Sequence, residues 1–245
     1  MRRIAAVTFD LWDTLIQEAP GNSGKVAELR VSRMWRFLGD KGLAHTRHEV
    51  AEAYRESADF LAMTWSKRRD MPVRDQVLFM LTSIDSKLTG RLSQEDLSRI
   101  EKEYSEGLLD HPPMLLPGAK EALKDVRSKG YRVGLISNTG RTPGTTLRVL
   151  MDRMGILGYF DTTTFSNEIL IRKPALGAFT VTLDKLKVVP KAAVHVGNDA
   201  ESDIAGAKRA GMKALHIVAD GTKPSPSADY HTRSLDQVLA LIEKL

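Results

Sequence analysis

The chain has 245 residues, 42% hydrophobic and 27% charged, with a net charge of +5 and no cysteine. That balance excludes a disordered polar chain, a disulfide scaffold and thiolate chemistry, and it suits a reducing, cytoplasmic address. No stretch approaches the roughly 20 apolar residues of a membrane span, and the positive charge is too diffuse to argue for nucleic acid, so a small anionic partner is expected.

The N-terminus "MRRIAAVTFD" has two arginines followed by apolar residues. Its apolar stretch is too short for an export signal and ends on an acid, so residues 4–9 read as a first strand. Residues 24–110 then read as amphipathic helices. Val26, Leu29, Met34, Phe37 and Leu38 recur at helical spacing. Thr46 with Glu49 predicts a capping box, and Ser93 with Asp96 another helix start. No strand is expected in this block. Within it, "SKRRDMPVR" (66–74) is the densest basic cluster and reads as a solvated helix end and loop. Trp35 and Trp65 read as packing residues.

After "HPPMLLPG" (111–118) the period changes. Short β-type runs at 131–137, 160–166, 192–197 and 213–218 alternate with helical stretches, two of them closed by Gly130 and Gly211. Strand–helix alternation with apolar strands predicts an α/β fold with a mostly parallel sheet covered on both faces. Residues 1–16 and 114–245 would form this core, with the helical block, 17–113, inserted after its first strand.

Four polar clusters stand just past strand ends, where open parallel sheets bind ligands. The first is "FDLWDTL" with Asp10, Asp13 and Thr14. The second is "SNTGR", Ser137 to Arg141. The third is "IRKPALGAF", with Lys173 before a probable helix whose first position Pro174 would take. The fourth is "VGNDAESD", with Asn198, Asp199, Glu201 and Asp203. Singly, each has a structural explanation: a capped turn, ordinary turn residues, an exposed lysine, an acidic first helical turn. Together they favour a site for phosphoryl transfer. A carboxylate such as Asp10 can attack phosphorus, and carboxylates of the first and fourth clusters can hold Mg²⁺. Lys173 would offset charge, while Ser137 and Asn138 would hold phosphoryl oxygens. Arg141 would reach an anionic substrate or face solvent. His195, in an apolar strand, reads as a packed core histidine. "GLISNTGR" misses the P-loop pattern, and no GxGxxG opens a helix.

With "FDLWDTL", "LISN", "RKP" and "VGNDAESDIAGAKRAG" in this order, the chain resembles the haloacid dehalogenase (HAD) superfamily. The resemblance implies a Rossmann-like, HAD-like core, an α-helical cap formed by the insertion, and Asp10 as nucleophile. It implies a Mg²⁺-dependent phosphatase, with the backbone carbonyl of Trp12 as a metal contact and Asp10, Asn198 and Asp199 or Asp203 as the other ligands. The sequence departs from the family pattern twice. The second aspartate, two residues after the nucleophile, is Trp12, whose indole donates a hydrogen bond but shuttles no proton. The usual "GD" of the fourth motif is Gly197-Asn198. Relatives with dehalogenase activity also lack the second aspartate, use no metal and bind substrate through a cap arginine, for which Arg30 and Arg33 lie in the right region. A metal-independent 2-haloacid dehalogenase is therefore the alternative activity, and a catalytically degenerate binding or regulatory protein the alternative of another class. The substrate is not legible, and a homo-oligomer is neither required nor excluded.

Overall fold

The computed structural model describes residues 4–245; residues 1–3 of the expected core segment 1–16 lie outside the described residues. In chain order the strands are β1 (Ala6–Phe9), β2 (Ile16–Gln17), β3 (Met114–Leu115), β4 (Arg132–Ser137), β5 (Thr162–Phe165), β6 (Ala193–Gly197), β7 (Lys213–Ile217) and β8 (Tyr230–Thr232). The α-helices are α1 (Asn22–Asp40), α2 (Arg47–Ser66), α3 (Val73–Ile84), α4 (Leu88–Arg91), α5 (Gln94–Asp110), α6 (Ala119–Ser128), α7 (Gly144–Arg153), α8 (Ser166–Ile169), α9 (Leu176–Leu186), α10 (Gly206–Arg209) and α11 (Val238–Ile242).

Six strands form one parallel sheet in the order β5-β4-β1-β6-β7-β8. The fold is therefore the expected α/β Rossmann-like one. The first strand lies centrally because its residues are apolar on both faces. Val7 and Phe9 pack with Val133, Leu135, Val194 and Val196 on one side, beneath α6 and α7. Ala6, Ile136 and Ala193 pack with α9 and α10 on the other. The chain crosses from the β4 side to the β6 side of β1, so the crevice at this topological switch lies beside the end of β1.

The helices α1–α5 hold a separate apolar cluster built on Met34, Phe37, Leu38, Val77, Leu81 and Tyr104. Both expected capping boxes form, Thr46 with Glu49 and Ser93 with Asp96. The two connections to this block run side by side, since β2 pairs antiparallel with β3. Gly130 and Gly211 take the left-handed conformation expected of residues closing a helix.

Three expectations need correction. Strand β8 was not anticipated, because its three residues lie in a polar stretch at the sheet edge with no apolar run to mark them. Pro174 is not the first helical residue: Ala175 caps α9, and the Lys173–Pro174 peptide is cis. The basic cluster at 66–74 is not simply solvated. Its Asp70 is buried and pairs with Arg172 at 2.7 Å, and Arg69 forms an antiparallel bridge with Ile171. Among the described residues no helix is long and apolar enough to cross a membrane.

Candidate active site

Asp10 is the residue immediately after β1, and its backbone N–H still donates to Val196 O at 2.9 Å, so the sheet fixes its backbone. The chain then folds back sharply. Leu15 and Ile16 both donate to Leu11 O, and Asp13 adopts a positive φ of 57°, which aspartate tolerates better than most residues. This turn buries Thr14, leaves Asp13 exposed and sets Trp12 half-buried.

The Lys173 ammonium lies between two carboxylates, 2.6 Å from Asp10 Oδ1 and 2.6 Å from Asp203 Oδ1. All three side chains are buried. Burial works against the lysine's charge, but the two acids overcome it and hold Lys173 above the usual lysine range. The two acids differ in their remaining partners. Asp203 also accepts from His195 Nε2 at 3.1 Å and from the Asp199 N–H at 2.9 Å. Burial opposes its ionisation, yet Lys173 and His195 keep it below the usual carboxylate range. At Asp10 burial prevails and pushes it up to about 7, with Lys173 opposing and Asp203 adding to the rise. The two acids thus share one cation, each 2.6 Å from it, and titrate together rather than singly.

Close approach of Asp203 depends on Gly197. A Cβ there would stand 2.4 Å from Asp203 Cγ, so only glycine lets this acid close over the end of β6. Asp199 stays at the surface, where its Oδ1 caps the next turn by accepting from the Glu201 and Ser202 N–H groups. The acidic first-turn reading therefore describes Asp199, while Asp203 belongs to the buried cluster.

Asn138 locks the lysine loop in place. Its Oδ1 accepts from the Lys173 N–H at 2.8 Å and its Nδ2 donates to Lys173 O at 3.0 Å. Ser137 is buried at the end of β4, its hydroxyl making only a long 3.4 Å contact to Asn138 O. Thr14 Oγ1 lies 3.2 Å from both Asp10 Oδ2 and Asn198 Oδ1. A hydroxyl has one hydrogen, so one of these oxygens keeps a lone pair without a donor from Thr14. This oxygen-rich corner fits a hard cation. Mg²⁺ normally takes one or two carboxylates and retains waters. Among the described residues no group of three or more His, Asp or Glu side chains is placed to hold a metal.

A cavity of about 470 Å³ separates the helical block from the core. Asp10 and Lys173 do not line it directly; Trp12 and Asn138 do, together with Arg30, Arg141 and Arg172. Arg141 does not face solvent as a free turn residue. It donates to Ser57 Oγ and Tyr104 Oη, each at 2.7 Å, and to Tyr54 O at 3.1 Å. Of the two arginines noted in the helical block, Arg30 is buried and Arg33 pairs with Asp110 near the surface.

His195 is fully buried, as expected of a core histidine, yet it also touches the cluster. Burial lowers its pKa, so the ring is neutral; Nε2–H faces Asp203 and Nδ1 lies 2.8 Å from Thr8 Oγ1. Sequence reasoning missed this link, and also missed Asp70 and Arg172. The signal for His195 was its place two residues before Gly197 on one face of β6. For Asp70 there was none, because its partners Thr139, Ser166 and Arg172 come from distant segments.

The family model for haloacid dehalogenase-like hydrolases matches residues 4–211. The chain is 36% identical over 109 residues to glyceraldehyde 3-phosphate phosphatase of Methanothermobacter thermautotrophicus, a match covering 44% of this chain and 46% of that protein. It thus spans about half the length of that relative. It is 28% identical over 216 residues to ribulose-1,5-bisphosphate 5-phosphatase of Halopiger xanaduensis, covering 86% of this chain and 83% of the relative. A crystal structure of a 2-haloacid dehalogenase from Pseudomonas syringae superposes with a TM-score of 0.69 over 98% of this chain and 99% of that one, at 23% identity, a likeness of fold alone. With the family model covering most of the chain and the strand-end cluster in place, the protein belongs to the haloacid dehalogenase-like hydrolases.

Proposed function

We propose that the protein is a phosphatase acting on a small phosphate monoester, with Asp10 as nucleophile. The observation that carries this reading is the 2.6 Å contact between Asp10 and Lys173 at the β1 end, with Asp203 holding the lysine from the other side. The phosphatase names of the two relatives support it.

In its ionised form an Asp10 oxygen attacks phosphorus while the ester P–O bond breaks. Lys173 offsets charge between nucleophile and phosphoryl group, and Ser137 and Asn138, with Thr14, orient the phosphoryl oxygens. Trp12 cannot protonate the leaving oxygen, so solvent supplies that proton. Water then hydrolyses the aspartyl-phosphate, returning the carboxylate and releasing phosphate. Mg²⁺, held by Asp10, the Trp12 carbonyl and Asn198, would supply further neutralisation of phosphoryl charge. Asp203 is assigned to hold Lys173 rather than metal, and Asp199 to cap its turn. The block 17–113 acts as a cap that excludes water from the site.

One observation favours a second reading, hydrolysis of a 2-haloacid. Trp12 stands where the proton shuttle would be, and both carboxylates of the cluster already pair with Lys173, so neither is without a cation. The test is a panel of phosphate esters and 2-haloacids assayed with Mg²⁺ and with chelator, using wild type and Asp10→Asn. Phosphate release that needs Mg²⁺ and vanishes in the variant supports the phosphatase. Halide release in chelator supports the second reading, and neither product points to a degenerate binding protein.

A further inference from the structure

Asp70 is a buried carboxylate that the proposed chemistry does not use. It lies in the connection between α2 and α3, yet three of its partners come from the core. Its Oδ1 accepts from Trp65 Nε1 at 3.1 Å and from the Met71 N–H at 2.9 Å. Its Oδ2 accepts from Arg172 at 2.7 Å, from Thr139 Oγ1 at 3.2 Å and from Ser166 Oγ. Both oxygens therefore face donors. A carboxylate satisfies them all, whereas an amide, whichever way it is turned, sets its NH₂ group against donors. The Trp65 ring covers the Arg172 guanidinium, whose Cζ lies 4.4 Å from the ring centroid.

The backbone at this junction is fixed as well. The Asp70 N–H donates to Leu170 O at 3.2 Å and the Arg172 N–H to Arg68 O at 3.1 Å, on either side of the Arg69–Ile171 bridge. Arg68 and Leu170 take φ of 58° and 57°, a region that residues with a Cβ occupy only where their surroundings impose it. The junction reaches both loops of the strand-end cluster. Arg172 directly precedes Lys173, and Thr139 directly follows Asn138, whose amide clasps the Lys173 backbone. Arg172 also donates to Thr139 O, which ties the two loops together. Neither Asp70 nor Arg172 hydrogen-bonds to Asp10 or Asp203 among the described residues. We infer that Asp70 is a positioning residue: from the helical block it holds the loops of Asn138 and Lys173 in register and so sets the lysine against Asp10. This rests on Asp10 and Lys173 as the reacting pair of the proposed function, but not on which electrophile they meet.

The test separates positioning from simple adhesion between block and core. Asp70→Asn and Arg172→Gln each leave one charge of the pair without its partner, and the double variant leaves none, so it should unfold at higher urea than either single variant. If Asp70 only balances charge, function returns with that stability; if it positions the lysine, function does not. The first readout needs no turnover. In the full chain labelled with ¹⁵N-lysine, in Mg²⁺ buffer, Lys173 should give a hydrogen-bonded ammonium resonance protected from exchange with water. Its loss in Lys173→Arg identifies it. In Asp70→Asn and in the double variant this resonance should broaden or vanish. The second readout is turnover of whichever phosphate ester or 2-haloacid wild type hydrolyses. There kcat should fall at least about tenfold in both variants while KM stays within about threefold, since small misplacements of reacting groups slow the chemical step. If Asp70→Asn does not fold, the double variant and Ser166→Ala, which removes one donor to Asp70, decide by the same readouts. A Lys173 resonance that is absent from wild type, unchanged in the variants or restored with stability in the double variant overturns the inference, as does an unchanged kcat. Absence of turnover in wild type counts against the proposed function alone, and the resonance then decides.

Discussion

At the strand ends one ammonium is shared by two carboxylates, whereas across the cavity two guanidiniums have no carboxylate between them. The core therefore gathers surplus negative charge around Asp10, and the face toward the helical block gathers surplus positive charge. Both arrangements are held rigid by the same means: each charged group is fixed by hydrogen bonds from elements that do not move with it. Asp10 sits on the sheet and Lys173 on a loop tied to Asn138, while Arg141 is anchored by α2 and α5. The difference teaches that the strand ends and the helical face are distinguished by sign of charge as well as by region.

The largest effect should come from removing the shared cation. Lys173→Met leaves Asp10 and Asp203 buried together without a counter-charge and should cost about 3–5 kcal/mol, the usual penalty for breaking a buried pair from one side. Urea denaturation reads this directly. A loss below about 1 kcal/mol would mean that the two acids relax into water and that the cluster is not the rigid unit described.

The next effect depends on pH. Asp10 is raised from 3.8 to about 7, so between those values the folded state holds a proton that the unfolded chain has released. Its ionised form therefore costs stability above about pH 7, and that cost is gone below about pH 4. Measured in chelator, Asp10→Asn should be more stable than wild type at about pH 8, with the advantage shrinking as the pH falls toward about 4. A constant difference across that window would show that burial does not hold the Asp10 carboxyl above its ordinary range.

The smallest effect tests the helical side alone. Thr46→Ala removes a capping box in which the Thr46 N–H donates to Glu49 Oε2 at 2.6 Å and Thr46 Oγ1 accepts from the Glu49 N–H at 3.2 Å. It should lower stability by about 1 kcal/mol in thermal or urea unfolding. Hydrolytic activity should not change, because the cap lies at the far start of α2. A changed activity would show that this end of the block is coupled to the strand-end cluster.

Local patterns made much of this molecule legible. Four of the six sheet strands carry apolar runs and a fifth, β5, is threonine-rich, and both capping boxes sit at fixed three-residue spacing, so each could be recognised without its tertiary partners. Strand β8 escaped because an edge strand of three residues needs little apolar burial. Pro174 was misplaced because a proline before a helical run fits either the first turn or the loop that enters it. Asp70 was hidden in a basic stretch because its burial depends on Thr139, Ser166 and Arg172, none of them nearby in sequence.

By itself, the sequence determined the parallel α/β core, the run of helices after its first strand, and the placing of Asp10, Ser137 and the segment 198–203 just past neighbouring strands. Hydrophobic period and strand-end position are local properties that topology then brings together. Only the tertiary structure decided that Asp203 clasps Lys173 while Asp199 caps a turn, and that Arg30 is buried where Arg33 is not. Those assignments depend on which neighbouring segments fill the space around each side chain, and packing across the fold sets that, not spacing along the chain.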